Sequence, residues 1–102
     1  MLFLIHCLDK AGAQDLRAQH AAAHAQYMRA HAQQVRIGGP LLSDDGTQRQ
    51  GVLVLAEFED AQQAQRFVAQ EPYHRAGVFE RVTVHPFQIV MNGFQAVQDK
   101  PC

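Results

Sequence analysis

The chain has 102 residues, which is the usual length of one domain. Hydrophobic residues make up 47% of the chain and charged residues 19%, a balance typical of a soluble globular protein. The formal net charge is −1 and no basic run appears, so neither nucleic acid nor an anionic membrane is expected as a partner.

The N-terminal segment LFLIHCL (residues 2–8) is short, almost entirely apolar and followed by the turn-like DKAGA, which predicts a β-strand. Apolar residues on both of its faces indicate a central strand that is covered on both sides. The run is too short to span a bilayer and lacks the flanks of a signal peptide, so we expect a cytoplasmic protein. Cys7 and Cys102 are expected to be free thiols.

Residues 13–35 predict one long helix, because alanine, leucine, methionine, glutamine and arginine favour helices and neither glycine nor proline interrupts them. The helix is expected to end before the Gly-Gly-Pro at residues 38–40. Its apolar stripe comprises Leu16, His20, His24, Tyr27, Met28, His31 and Val35.

The rest of the chain predicts a second helix and three further strands. We expect the strands near residues 36–42, 51–59 and 80–90. Asp60 is the predicted N-cap of a helix over residues 60–70, and Pro86 indicates that the last strand lies at a sheet edge or carries a bulge. The order βαββαβ implies an α+β fold, a four-stranded antiparallel sheet with both helices on one face. The other face would be bare, which predicts a dimer packed sheet to sheet.

Three histidines lie within QHAAAHAQYMRAH (residues 19–31). His20 and His24 are four residues apart, so they share a helix face and could provide two metal ligands. The segment contains no acidic residue, and the HExxH pattern is missing because positions 21 and 22 are both alanine, so no metal site is predicted. His31 lies near the helix end, where a surface position is favoured.

His24 is the main candidate for acid/base chemistry. A half-buried imidazole needs a hydrogen-bond partner, and with a carboxylate partner it becomes a base poised near neutral pH. A hydrogen-bonded core histidine with no chemical role is the alternative. The two candidate carboxylates are Asp9, at the end of the first strand, and Glu71, before Pro72; each could instead be a turn residue.

Arg17 could hold a carboxylate or phenolate of a substrate, or it could pair with an acidic neighbour such as Asp9. Tyr27 and Tyr73 could line a pocket or belong to the core. Cys7 has no histidine at an activating spacing and is not expected to be a nucleophile. The chain contains neither a phosphate-binding glycine loop nor a dinucleotide fingerprint, so no cofactor is expected.

Four segments in this order resemble the YciI-like (YCII-related) family of small ferredoxin-like, dimeric α+β barrel proteins: LFLIHCLDK, LRAQHAAAHAQYM, GGPLLSDDG and EPYHRAGVFERVTVHPF. The resemblance implies a single YCII-related domain over residues 1–90, followed by a C-terminal tail at 91–102. That segment could be a simple tail or an arm that docks on a partner subunit. The family carries a helix histidine paired with an aspartate, and some members resemble dehydrohalogenases or isomerases of small aromatic or cyclic substrates.

The resemblance identifies the helix histidine as His24. The chain departs from the family pattern at Ala21, where the family usually has arginine, and at Glu71, where it usually has aspartate.

These features predict a homodimer or higher even oligomer with a pocket between the long helix and the sheet. His24, oriented by Asp9 or Glu71, is expected to catalyse an elimination or isomerisation of a small anionic or aromatic substrate. The expected substrate-binding residues are Arg17, Tyr27, Tyr73 and His20. The alternative is a non-catalytic dimer that binds a small metabolite or a partner protein.

Overall fold

The computed structural model describes residues 1–94. Its elements are β1 (Leu2–Asp9), α1 (Gln14–Ala30), β2 (Val35–Leu42), β3 (Arg49–Glu57), α2 (Ala61–Gln70), α3 (Pro72–Arg75) and β4 (Phe79–Phe87). The strands form one antiparallel sheet in the order β2-β3-β1-β4. The expected α+β, ferredoxin-like βαββαβ order is therefore confirmed, with the short helix α3 added before the last strand.

The core lies between the sheet and the two longer helices. Alternate residues of β1, namely Phe3, Ile5 and Cys7, are buried on this face. Opposite them on β3 lie Ala56, Val54 and Val52. Helix α2 covers these pairs with Ala64, Phe67 and Val68. Removing this apolar surface from water is the main force that holds α2 on the sheet.

Helix α1 ends at Ala30, so the prediction that it extends to residue 35 was wrong. The backbone N–H of His31 closes the helix by donating to the carbonyls of Tyr27 and Met28. Val35 begins β2 and pairs with Ala56 of β3. Helix propensity is a weak preference that tertiary contacts override, so the pairing of Val35 with β3 decides where the helix ends.

The other elements differ from their predicted bounds by a few residues. Strand β3 begins at Arg49, before its expected start near residue 51, and β4 ends at Phe87, before its expected end near residue 90. Asp60 is the N-cap of α2, where its side chain accepts the backbone N–H of Gln63 at 2.9 Å. Strand β4 is an edge strand, which is where Pro86 can be accommodated without losing a ladder hydrogen bond.

Strands β1 and β3 approach closely at Gly51. A Cβ at this position would lie 2.0 Å from the carbonyl oxygen of Cys7, so only glycine fits. Gly51 pairs with Leu8, and the register of β1 against β4 shifts just after Leu8. The close approach brings the end of β1, with Asp9, beside the start of β3, with Arg49.

The opposite face of the sheet is apolar and open. Leu4 of β1 and Leu53 of β3 line a groove of about 1070 Å³ together with Ile37 of β2. After β4 the chain continues along this groove with Ile89, Val90, Met91 and Phe94, which are exposed. Residues 95–102 of the predicted tail lie outside the described residues. Within residues 1–94, no helix is long and apolar enough to cross a membrane.

Candidate active site

The site is built around a histidine and a buried glutamate. The Nδ1 atom of His24, in the second half of α1, lies 2.5 Å from Oε1 of Glu71. The side chain of Glu71 is only 8% exposed. Of the two carboxylates that the sequence offered as partners of His24, the structure brings Glu71 to it.

Local sequence explains why Glu71 is in place. It lies between α2 and α3, and Pro72 at the first position of α3 favours its extended backbone. Its Oε2 accepts the backbone N–H of His74 at 3.2 Å, so Glu71 is the N-cap of α3. One oxygen therefore anchors the carboxylate to its own chain segment, and the other is free to bind the imidazole.

This contact determines which nitrogen of His24 can act as a base. An ionised carboxylate only accepts hydrogen bonds, so Nδ1 carries the proton that is donated to Glu71. The lone pair of the neutral ring is then on Nε2, and in residues 1–94 only Nδ1 has a recorded hydrogen-bond partner. In this tautomer, Nε2 is the ring nitrogen that can accept a proton.

Tyr73 fixes the plane of the imidazole. The two rings are stacked, with centroids 4.1 Å apart and planes 11° from parallel. Tyr73 is buried and packs edge-on against Phe79 of β4, with centroids 6.2 Å apart. His24 is thus held at its ring face by Tyr73 and at its edge by Glu71.

Asp9, the other candidate carboxylate, is engaged with two arginines. Arg17 donates from Nη1 to its Oδ2 at 2.6 Å, and Nε of Arg49 lies 3.6 Å from the same oxygen. The side chain of Asp9 is 5% exposed, so these cations compensate a buried charge. Arg17 therefore pairs with an acidic neighbour, which was the alternative to a role in binding substrate.

The other two expected binding residues are Tyr27 and His20, neither of which is hydrogen-bonded to His24 or Glu71 within residues 1–94. The hydroxyl of Tyr27 donates to the carbonyl of Phe67 at 2.7 Å and so ties α1 to α2. Burial, with a smaller contribution from the charge of Glu71, raises the pKa of Tyr27 to about 12. His20 is half-buried and forms no recorded hydrogen bond or ion pair in residues 1–94. In that part of the chain no three histidine, cysteine or acidic side chains are grouped as metal ligands would be.

The negative charges of Glu71 and Asp9 act on the buried thiol of Cys7. Burial raises the pKa of its thiol to about 12, and the negative charges of Glu71 and Asp9 contribute in the same direction. Both effects favour the protonated thiol, which is a weaker nucleophile than the thiolate.

A cavity of about 410 Å³ opens beside the histidine. Helix α1 contributes His24 and Met28 to its wall, β2 contributes residues 38–40, and β3 contributes Arg49, Val52 and Val54. The volume and the mostly apolar lining suit a small ring-shaped molecule. Arg49 was not among the candidates from the sequence, because QRQ at residues 48–50 resembles a solvated loop and offers no signal of a pocket.

The chain matches the YCII-related domain over residues 1–88. It is 33% identical over 97 residues to Protein YciI of Escherichia coli O6:H1, an alignment that covers 88% of this chain and 99% of that protein. It is also 33% identical over 78 residues to an uncharacterized protein of Haemophilus influenzae, covering 74% of this chain and 80% of the relative.

Among solved structures, the chain is similar to 5-chloro-2-hydroxyhydroquinone dehydrochlorinase (TftG) from Burkholderia phenoliruptrix AC1100, in complex with 2,5-dihydroxybenzoquinone. The TM-score is 0.79 at 29% sequence identity, and the match covers 86% of this chain and 94% of that one. The fold is that of the dimeric α+β barrel group. The chain therefore belongs to the YCII-related domain family.

Proposed function

We propose that this protein is a small cofactor-independent enzyme that uses His24 and Glu71 to catalyse an elimination or isomerisation of a small oxygenated ring compound. The observation that carries the proposal is the buried carboxylate 2.5 Å from Nδ1 of an imidazole that borders a cavity. This arrangement leaves Nε2 as the base and provides a negative charge to stabilise the imidazolium that forms.

In the elimination, Nε2 of His24 accepts a proton from a C–H or O–H group of the substrate. The substrate reacts as its keto tautomer, in which the carbon that bears the leaving group is sp3 and also bears a hydrogen. The electron pair of the broken O–H or C–H bond moves toward that carbon and forms a new double bond there, and the leaving group departs with its own bonding pair, for example as chloride. In the isomerisation, the imidazolium returns the proton to another carbon. Both reactions are redox-neutral and need no external oxidant or reductant.

The comparison with the dehydrochlorinase supports the choice of substrate class. That enzyme is named for the loss of hydrogen chloride from a hydroxylated chlorinated ring, and its structure holds a dihydroxybenzoquinone. A molecule of that size fits a cavity of about 410 Å³. We propose that this chain acts on the same class of substrate, hydroxylated ring compounds, and not on the same individual compound.

We further propose that the protein is a homodimer that buries the open face of the sheet. Exposed apolar side chains on that face and on the segment after β4 support this assembly, including Ile37, Phe87 and Ile89.

The test is chloride release from a panel of chlorinated hydroxyhydroquinones by the wild type and by His24→Gln. We expect the wild type to release chloride and kcat/KM to fall by a factor of about 10²–10⁴ in the variant, because the base is removed. His31→Gln is the matched control on the same helix, since His31 does not line the cavity, and it should retain activity. Undiminished turnover in His24→Gln would contradict the proposal, and binding of a quinone without turnover of any panel member would favour the non-catalytic alternative.

A further inference from the structure

We infer that Arg49 is the anion-binding residue of the cavity and that it holds a negatively charged ring oxygen, a phenolate or enolate, of the molecule on which His24 acts. The inference rests on the proposed function and defines its substrate class as ring compounds with an ionised hydroxyl group. Nothing in the sequence pattern singles out this residue, and its proposed role follows from its surroundings in the fold.

The first observation is position. Arg49 begins β3 and lines the same cavity as His24, which comes from α1. The guanidinium carbon of Arg49 lies 5.1 Å from the centroid of the Tyr73 ring, on which His24 is also stacked. His24 and Arg49 therefore both contact the ring of Tyr73 and both line the cavity, so one small substrate could contact both.

The second observation is unused hydrogen-bonding capacity. Among the described residues, the buried Nε and Nη2 atoms of Arg49 have no hydrogen-bond partner. The nearest acidic oxygen, Oδ2 of Asp9, is 3.6 Å from Nε, which is too far for a hydrogen bond. Oδ1 of Asp9 is also buried without a partner, so the ion pair between Arg49 and Asp9 is loose. The side chain of Arg49 is 24% exposed and lines the cavity, so the exposed part of its guanidinium is available to an oxygen of an anionic ligand.

The third observation is the local charge balance. Asp9 faces two guanidinium groups, and Arg17 alone forms a hydrogen bond to it, at 2.6 Å. Glu71 is engaged with His24 and with the N-terminus of α3. The two carboxylates balance the two guanidinium groups in number, but Arg49 forms no hydrogen bond to either carboxylate and so can still donate to an anionic ligand.

The arrangement also suits the chemistry. When His24 removes a proton, negative charge develops on an oxygen conjugated with the ring. A guanidinium kept at the cavity wall by its contacts with Tyr73 and Asp9 would stabilise that charge with little reorganisation. Arg29 is the other cation of the cavity wall, but it is exposed in the last turn of α1, where water screens its charge.

The experiment is a calorimetric titration with two probes of similar shape and different charge. The anionic probe is 2,5-dihydroxybenzoquinone, whose acidic hydroxyls are ionised at neutral pH, and the neutral probe is 2,5-dimethoxybenzoquinone. We expect the wild type to prefer the anion and Arg49→Gln to weaken it by a factor of about ten or more, with the neutral probe unchanged. Arg49→Lys should restore part of the affinity, because it keeps the charge and loses the fork.

Arg29→Gln is the matched control, and its affinity for the anion should stay within a factor of about three of the wild type. The inference is overturned if Arg49→Gln, folded by circular dichroism, binds the anion as tightly as the wild type. It is equally overturned if the wild type binds neither probe or does not distinguish them, or if Arg29→Gln is the more damaging change.

His24→Gln separates this inference from the proposed function. The variant should still bind the anionic probe, because the guanidinium is intact, while turnover is lost. Binding that depends on Arg49 without any turnover in the wild type would contradict the catalytic proposal and leave the anion site standing. Turnover that depends on His24 but not on Arg49 would support the catalytic proposal and contradict the anion site.

Discussion

At the scale of single residues, Glu71 links the backbone to the chemistry. Its two oxygens have different partners: Oε2 caps α3 through the N–H of His74, and Oε1 orients the ring of His24. A side chain that serves both purposes cannot move away from the imidazole without uncapping its own helix. The longer reach of glutamate, where the family usually has aspartate, is compatible with this double contact.

Replacing Glu71 by glutamine tests its role as the residue that positions the base. The amide oxygen can still cap α3, but the amide N–H₂ would then face Nδ1 of His24 and shift the proton to Nε2. We expect kcat/KM for chloride release to fall by a factor of about 100 or more, with a change in the ¹⁵N chemical shifts of the imidazole that marks the other tautomer. Glu71→Asp, which keeps the acceptor, should recover part of the activity; an unchanged tautomer with full activity in Glu71→Gln would refute this role.

At this scale, the sequence alone could not determine which of the two carboxylates pairs with His24. His24 could be identified from the residues around it and from the family resemblance, because a helix histidine has a local context. Its partner could not, since Asp9 and Glu71 are far apart along the chain and only the packing of α1 on α3 selects one. Arg49 carried no local signal at all.

At the scale of elements, α2 was predictable because its signals are local. Asp60 precedes the helix as an N-cap, and Ala64, Phe67 and Val68 form one buried stripe. The end of α1 was not predictable in the same way, since residues 31–34 contain no helix breaker. Their conformation depends on β2 pairing with β3, a contact between distant parts of the chain.

The N-cap of α2 provides a stability prediction. Asp60→Ala should lower the free energy of unfolding by about 1 kcal/mol, because the N–H of Gln63 loses its acceptor. Asp60→Asn keeps a side-chain oxygen and should stay close to the wild type in the same urea titration. Equal stability of the alanine variant and the wild type would show that the cap contributes nothing measurable.

At the scale of the whole molecule, the sheet has two unlike faces. One is covered by α1 and α2, and the other carries the half-buried side chains of Leu4 and Leu53 beside the exposed apolar segment after β4. An open apolar face of this kind is an expected site of self-association. The α+β architecture and the sheet topology could be predicted from the order of apolar runs, whereas the course of residues 88–94 along this face could not.

A charge placed in the middle of this face should disrupt the proposed dimer. Leu53→Glu puts a carboxylate into the groove, and burying it against a second copy would be strongly unfavourable. We expect sedimentation velocity to show a dimer for the wild type and a monomer for Leu53→Glu. Ala22→Glu, on the exposed side of α1, is the control and should remain dimeric. A monomeric wild type would contradict the proposed dimer. A dimeric Leu53→Glu would show that the dimer interface lies on another surface.

The stack on Tyr73 gives the protein an optical property of its own. The chain contains no tryptophan and two tyrosines, so its near-ultraviolet emission comes from Tyr27 and Tyr73 alone. One of these rings contacts both His24 and Arg49. In a Tyr27→Phe background, the remaining emission reports on the contents of the cavity, because a bound quinone would quench it by energy transfer. Ligands can thus be screened by fluorescence with no dye attached and no reaction known in advance.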